Sequence, residues 1–420
     1  MPFFSGRPPR FAVALGASLI GLLASPALAD PAPPFHLLLA EALQSAPRLA
    51  EAQAEVDQSR SLAAQSSVRP NPTVSFEIEN AFGTGPLRGL SATELTASIE
   101  QNLELGGRRT ARIQSGRAAV SFARARADRT RSEFAADLAE AYVQAEASHL
   151  RLRFAREALE LAQQDLRVAD ALVGAGHEAE LRSVQATAAA SAAQAQVAEA
   201  MAARTVAFAR LTAMSGSATP ITSITVGLLA HADRDEAFRR PDPLTTPSYR
   251  AAQGDIAAAA GRVRIEQTRS RPDITVSVGV RRVEETGATA FVAGISSPLP
   301  LFDRNRGATD AAMAERRGAE ARLDAARLNA EAEAISTVAR AEAASVRLAA
   351  SQNGERAAAE ASRLALIAYQ SGRLSLLELL ATRRAHTEAR TQSLNARLER
   401  LSAEAALARL SGVTPFGDQP

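Results

Sequence analysis

The residues able to do chemistry are few and dispersed. The five histidines, His36, His149, His177, His231 and His386, lie far apart, and no two share the i, i+4 spacing that sets two imidazoles on one helix face. Met201, Met214 and Met313 are equally scattered, so no metal site is expected, because a protein metal site needs converging ligands. Cysteine is absent, which excludes disulfides, thiol nucleophiles, cysteine metal ligands and a lipid-modified cysteine within this sequence. No Ser-His-Asp grouping or paired carboxylates stand out. Gly106-Gly107-Arg108-Arg109 has the glycines of a phosphate loop but lacks its Lys-Ser/Thr, and it reads as a strand-to-helix hinge. The arginine-rich run Arg108 to Arg131 reads as a solvated helix face: 48 basic and 46 acidic residues leave a net charge of only +2. No enzyme activity, no cofactor and no nucleic-acid partner is expected.

The information lies instead in a repeat. RPNPTVSFEI, from Arg69 to Ile78, returns as RPDITVSVGV from Arg271 to Val280. Each copy leads through a turn-rich gap into a second strand-like run, ELTASIEQNLELGGRR from Glu94 and AFVAGISSPLPLFDRN from Ala290. A long alanine-rich helical segment follows each. Ile99 and Ile295 are 196 apart (295 − 99), as are Leu105 and Leu301, Gly176 and Gly372, and Gly216 and Gly412. The plan is helix, β-hairpin, long helix, tip, long helix, made twice.

The strands alternate. Val74, Phe76 and Ile78 oppose Thr73, Ser75, Glu77 and Glu79, and Leu95, Ala97 and Ile99 oppose Thr96, Ser98 and Glu100. In the second copy Ile274, Val276, Val278 and Val280 alternate with Thr275, Ser277, Gly279 and Arg281, and Phe291, Ala293 and Ile295 form the apolar face of the return strand. This pattern suits the edge of a soluble sandwich, or a transmembrane barrel strand with lipid on one side and water on the other. Four strands cannot close alone, so a barrel would require several chains.

After each hairpin the period becomes helical. No proline interrupts the stretch from Gly107 to Val173, and Phe134, Leu138, Ala141, Ala145, Ser148 and Leu152 open a heptad seam that continues to Val173. Leu394, Leu398, Leu401, Ala405 and Ala408 form a comparable seam. The turns fall at Gly174-Ala175-Gly176 and at Tyr369-Gln370-Ser371-Gly372. With no Trp and 4% aromatics in 420 residues, the chain suits close-packed rods rather than a thick core.

Arg7 and Arg10, an apolar run from Phe11 to Leu23, and Ala27-Leu28-Ala29 read as a secretory signal peptide over 1–29, the run being short of the roughly 20 residues that span a bilayer. A first repeat would cover 30–216, with a β-hairpin at 72–103 and a helical hairpin at 107–214. A linker would cover 217–246. The second repeat would cover 247–412, with a β-hairpin at 273–299 and a helical hairpin at 305–411, before a mobile tail at 413–420.

RPNPTVSFEIEN from Arg69, QNLELGGRR from Gln101, RRVEETG from Arg281, PLPLFDRNRG from Pro298 and LSLLELL from Leu374, with both tips, resemble the TolC family of outer-membrane channels. Within it the likeness is to the heavy-metal efflux components of the CzcC and CusC kind. The resemblance implies a mainly α fold with a small β portion: a trimeric α-barrel in the periplasm below a twelve-stranded barrel in outer-membrane lipid, four strands per chain. It implies a homotrimer, a periplasmic adaptor (a membrane fusion protein) contacting the tips at Gly174, Gly176, Tyr369 and Gly372, and an inner-membrane pump of the proton-driven RND type. It also implies an acidic ring just past the second tip, where Glu378 stands six residues after Gly372. Glu378 is the pore or gate candidate, set against the plainer reading of a solvated helix residue; Ala381, one turn on, leaves no second ring. The expected function is passive exit of heavy-metal cations in a tripartite efflux system. A duct for drugs or type I protein secretion, and a secreted coiled-coil structural protein without a pore, are the competing readings.

Overall fold

The computed structural model describes residues 30–234 and 237–416, so the signal peptide expected over 1–29 lies outside the described residues. Its longest element is the helix α3, traced here after β1 (Asp30–Ala32), α1 (Phe35–Ser45), α2 (Pro47–Ser66), β2 (Thr73–Glu79) and β3 (Glu94–Leu103). The 67 residues of α3, Arg108–Gly174, make a rod of roughly 100 Å at 1.5 Å per residue. It runs unbroken because no proline removes a ladder donor.

The chain turns and comes back as α4 (Glu180–Ser215), crosses through β4 (Ile221–Ile224), and begins again with α5 (Pro247–Arg269), β5 (Ile274–Val283), β6 (Ala288–Ser296), α6 (Arg306–Gln370) and α7 (Leu376–Ser411). The helices α4 and α7 are displaced by 196 at both ends (376 − 180; 411 − 215). Their tips close identically. The amide of His177 donates to Leu172 O at 2.9 Å and that of Gly176 to Val173 O at 3.0 Å; Arg373 donates to Ala368 O at 2.9 Å and Gly372 to Tyr369 O at 3.0 Å. This closure needs a left-handed residue, and Gly176 and Gly372 supply it with φ of 72° and 70°.

The returning rods are composite. The helix α4 ends at Gly216, packed against Ser45 where α1 gives way to α2, and α7 ends at Gly412, packed against Pro247 at the head of α5. Thus α4 then α2 lie along α3, and α7 then α5 lie along α6. Small residues let the rods touch closely. A β-carbon at Gly116 would stand 3.0 Å from the backbone of Ala63 in α2, and one at Gly261 of α5 would stand 2.9 Å from that of Ser115. The glycine inside α3 therefore marks a close helix crossing rather than a break.

Large side chains gather in one belt at mid-height. Leu138, Tyr142 and Leu211 are fully buried there with Phe35, Phe134 and Phe208. Along this belt α3 buries more than a single heptad stripe, leaving only a narrow face through Asp137 and Glu140 open. The short elements wrap it: β1 pairs in parallel with β4, and Tyr142 Oη lies 2.7 Å from Val226 O and 3.1 Å from Pro33 O. The C-terminal segment corrects an expectation. Against the reading of a mobile tail, 413–414 are exposed but 415–416 dock, with Pro415 buried and the Phe416 ring edge-on to Phe35 at 6.0 Å and His231 at 5.1 Å. Apolar contact with the belt fixes it; 417–420 lie outside the described residues.

Glu146 holds the crossing. Its Oε2 accepts from the amides of Leu228 (2.6 Å) and Leu229 (3.1 Å) at the head of the 3₁₀ turn Leu229–Asp233. Burial raises its pKa above the ordinary 4.5, only partly offset by those two amides. The native state therefore holds this proton more tightly than the unfolded chain. The resulting stabilisation is complete below pH 4.5 and is lost as pH rises through the raised value. Glu146→Gln keeps a neutral acceptor. Denaturant unfolding of the detergent-solubilised protein should show wild type losing stability relative to Glu146→Gln across that interval. A constant difference would mean that burial does not govern this carboxyl.

Candidate functional site

The four long strands form one antiparallel sheet in the order β2-β3-β5-β6. Its register stacks Val74, Ile99, Val278 and Ala293 in one row and Phe76, Ala97, Val280 and Phe291 in the next. This apolar face looks outward: Phe76 is 74% exposed and Phe291 94%. The polar face is the covered one. Thr96 is buried, the Ser75 and Ser98 hydroxyls lie 2.7 Å apart, and Arg281 reaches Glu79 at 2.9 Å, Glu94 at 2.8 Å and Thr96 Oγ1 at 2.9 Å. That polarity is the reverse of a soluble sandwich, which buries its apolar face.

The polar face is crowded: a β-carbon at Gly279 would lie 2.6 Å from Ala97 O, against backbone, and one at Gly294 would lie 2.7 Å from Ser277 Oγ. Glu77, Glu79, Glu94 and Glu100 share this face with Arg281 as its one strand cation, an excess of carboxylate where water would run. Within the described residues β2 and β6 are each paired on one side only.

The sheet is joined to the rods by the hinge read from Gly106-Gly107, whose φ values are 67° and 85°. The solvated-face reading of the arginine run needs correction at its start. Arg108 pairs with Asp273 and donates to Arg269 O at 3.0 Å, Arg109 donates to Ser67 O at 2.9 Å, and Arg112 reaches Glu104 at 2.5 Å and Val68 O at 3.3 Å. These side chains satisfy strand-end and helix-end groups at the joint, which leave their own hydrogen-bond ladders there. Further on, Arg126 and Arg129 pair on the surface with Glu55 (3.3 Å) and Glu133 (2.8 Å). In the second copy Asn305 takes the left-handed cap, φ 56°, and donates to Glu266 O at 2.8 Å.

The tip residues close the two helical hairpins: Gly174 ends α3 with Gly176 just beyond it, and Tyr369 lies in the last turn of α6 with Gly372 just beyond it. Glu378 is exposed one turn into α7. There it forms a capping box: its Oε2 accepts from Ser375 N at 3.1 Å and Ser375 Oγ at 2.9 Å, while Ser375 Oγ accepts from Glu378 N at 3.3 Å. The Ser375 backbone amide, then its hydroxyl, lower this carboxyl's pKa, so it is charged at neutral pH. Sequence reading missed the tie between the two hairpins above the tips. Arg390 of α7 reaches Glu157 of α3 at 2.5 Å and stacks 4.0 Å from the Phe154 ring. Its carboxylate partner stands 233 residues away, beyond any local spacing signal. Among the described residues no group of three or more His, Cys, Asp or Glu could hold a metal ion, and no helix is long and apolar enough to cross a membrane.

Comparison with known proteins gives this architecture a family. The model of the outer membrane efflux protein family matches residues 38–217 and 245–413. The chain is 41% identical over 410 residues to the nickel-cobalt-cadmium resistance protein NccC of Alcaligenes xylosoxydans xylosoxydans, covering 97% of this chain and 93% of that protein. It is 41% identical over 331 residues to the nickel and cobalt resistance protein CnrC of Cupriavidus metallidurans, covering 79% and 78%. The fold superposes on the crystal structure of CusC with a TM-score of 0.75 at 18% identity, over 90% of this chain and 92% of that one. With its family pattern running through both helical hairpins and its fold that of the TolC-like channels, the chain belongs to the outer membrane efflux protein family.

Proposed function

We propose that this outer-membrane protein is the exit duct of a tripartite heavy-metal efflux complex. One observation carries the duct: a sheet whose apolar side is exposed, whose polar side is covered and whose edges are open. Lipid is the solvent such a face matches, and sister strands are what such edges require. Four strands from each of three chains would close a twelve-stranded barrel, with the rods forming a hollow tunnel in the periplasm. A leader over 1–29, repeats over 30–216 and 247–412 and a linker over 217–246 complete this reading. The metal cargo rests on the likeness to NccC and CnrC, which are named for nickel, cobalt and cadmium resistance. The carboxylate excess on the polar strand face agrees with cations as cargo, since such linings attract them without trapping them. Choice of metal belongs to the pump.

A periplasmic adaptor would meet the tips at Gly174, Gly176, Tyr369 and Gly372, and an RND-type inner-membrane pump would drive transport. Glu378 is proposed to face the axis, three copies forming one acidic ring. Crowding would raise these carboxyls, against the lowering that the capping box gives each one alone.

Three measurements test the reading. Val278→Arg places a charge on the lipid face at a cost of about 2–4 kcal/mol in each chain. It should empty the outer-membrane fraction of heat-modifiable oligomer, whereas Glu77→Lys on the polar face should not; equal tolerance of both would remove the barrel. A deletion strain should become sensitive to nickel, cobalt or cadmium more than to dyes and detergents, and the opposite pattern would make this a drug duct. Glu378→Gln retains the cap but not the charge, and in planar bilayers it should weaken cation selectivity. Selectivity equal to wild type would leave Glu378 a capping residue alone.

A further inference from the structure

The outward apolar surface continues past the last strand. On β6 the outward side chains are Phe291, Ala293 and Ile295, and the chain then runs Ser297-Pro298-Leu299-Pro300-Leu301-Phe302 before α6 begins at Arg306. Leu299 and Leu301 are mostly exposed, and Phe302, at 99%, is the most exposed large hydrophobic side chain among the described residues.

This segment is braced. Ser297 Oγ donates to Asp273 O at 3.0 Å, Leu301 N to Leu299 O at 2.8 Å in a tight turn, and Asn305 N to Asp303 Oδ1 at 2.8 Å. Asn305 in turn is tied to α5 through Glu266. Two prolines restrict φ between these ties. A solvated loop has no need of three large apolar side chains held outward on such a frame. Arg304 and Arg306 follow at once, placing cations beside the apolar group in the order seen at membrane interfaces. The equivalent junction in the first copy, Leu103 to Gly107, carries Leu103 and Leu105 but no aromatic and no proline.

We propose that Pro298–Phe302 is an interfacial lipid anchor, with Leu299, Leu301 and Phe302 inserted into the periplasm-facing leaflet at the barrel rim. Its occupant is phospholipid, because the patch is continuous with the strand face turned to lipid and lies at the joint where strands give way to rods. The inference rests on the membrane-sheet reading above. It assigns the second copy, not the first, to fixing the depth of the barrel.

The chain has no Trp, so each single replacement supplies the only indole. Phe302→Trp and Leu301→Trp would be reconstituted as full-length protein in phosphatidylcholine vesicles carrying bromine either near the headgroup or near the chain ends. Phe291→Trp on the strand and Leu377→Trp near the tip serve as references. Both loop indoles should lose emission most to the headgroup-proximal bromines, and Leu377→Trp should lose none. Quenching of Phe291→Trp with loop indoles that match Leu377→Trp would overturn the anchor and keep the barrel, showing that a second copy or the adaptor covers the patch. Unquenched emission from Phe291→Trp and both loop indoles would overturn the barrel as well.

Discussion

The open edges of β2 and β6 constrain everything else in this molecule. A strand edge leaves amide and carbonyl groups that water can satisfy and hydrocarbon cannot, and this sheet turns its apolar side toward whatever surrounds it. The apolar face asks for lipid, yet lipid makes unpaired edges intolerable. Only pairing with strands of sister chains meets both demands. On the polar face, Gly279 and Gly294 sit where neighbouring strands leave least room for a side chain.

The rods answer a different demand. A helix of 67 residues in a folded protein draws most of its stability from packing rather than from its ladder, and the chain has few large side chains to offer it. Alanine and glycine bring neighbouring backbones close, which replaces bulk with contact. The scarce aromatics are concentrated where α1, the β1–β4 pair, the 3₁₀ turn and the docked C-terminal segment surround α3. Tyr142 and Glu146 then bind the crossing chain through its backbone, so the two halves of the repeat are tied at the same height at which the composite rods change helices.

Much of this was legible in the residues. The constant offset of 196 came from glycines and strand residues, and it reappears as matching tip hydrogen bonds because the left-handed closure admits little but glycine. Strand alternation predicted the two faces, but its outward sense became certain only when Thr96 emerged buried and Phe291 bare. Glu146, Tyr142 and the Arg390–Glu157 pair left no local signature, since their partners lie 82, 84 and 233 residues away. The tail was misjudged because Pro415 and Phe416 gain meaning only beside Phe35 and His231. Arg108 and Arg112 were hidden in a run of similar residues; position at the hinge, not composition, separates them from their neighbours.

The composite build of the returning rods has a mechanical corollary. The seams join α4 to α2 and α7 to α5, segments far apart in the chain, so no helical ladder crosses either one. Each seam is therefore a place where one segment can tilt against the next without breaking a bond of either ladder, whereas α3 and α6 flex only along their whole length. The rods are thus staves of unequal construction, two continuous and two spliced, with both splices set beside the bulky belt.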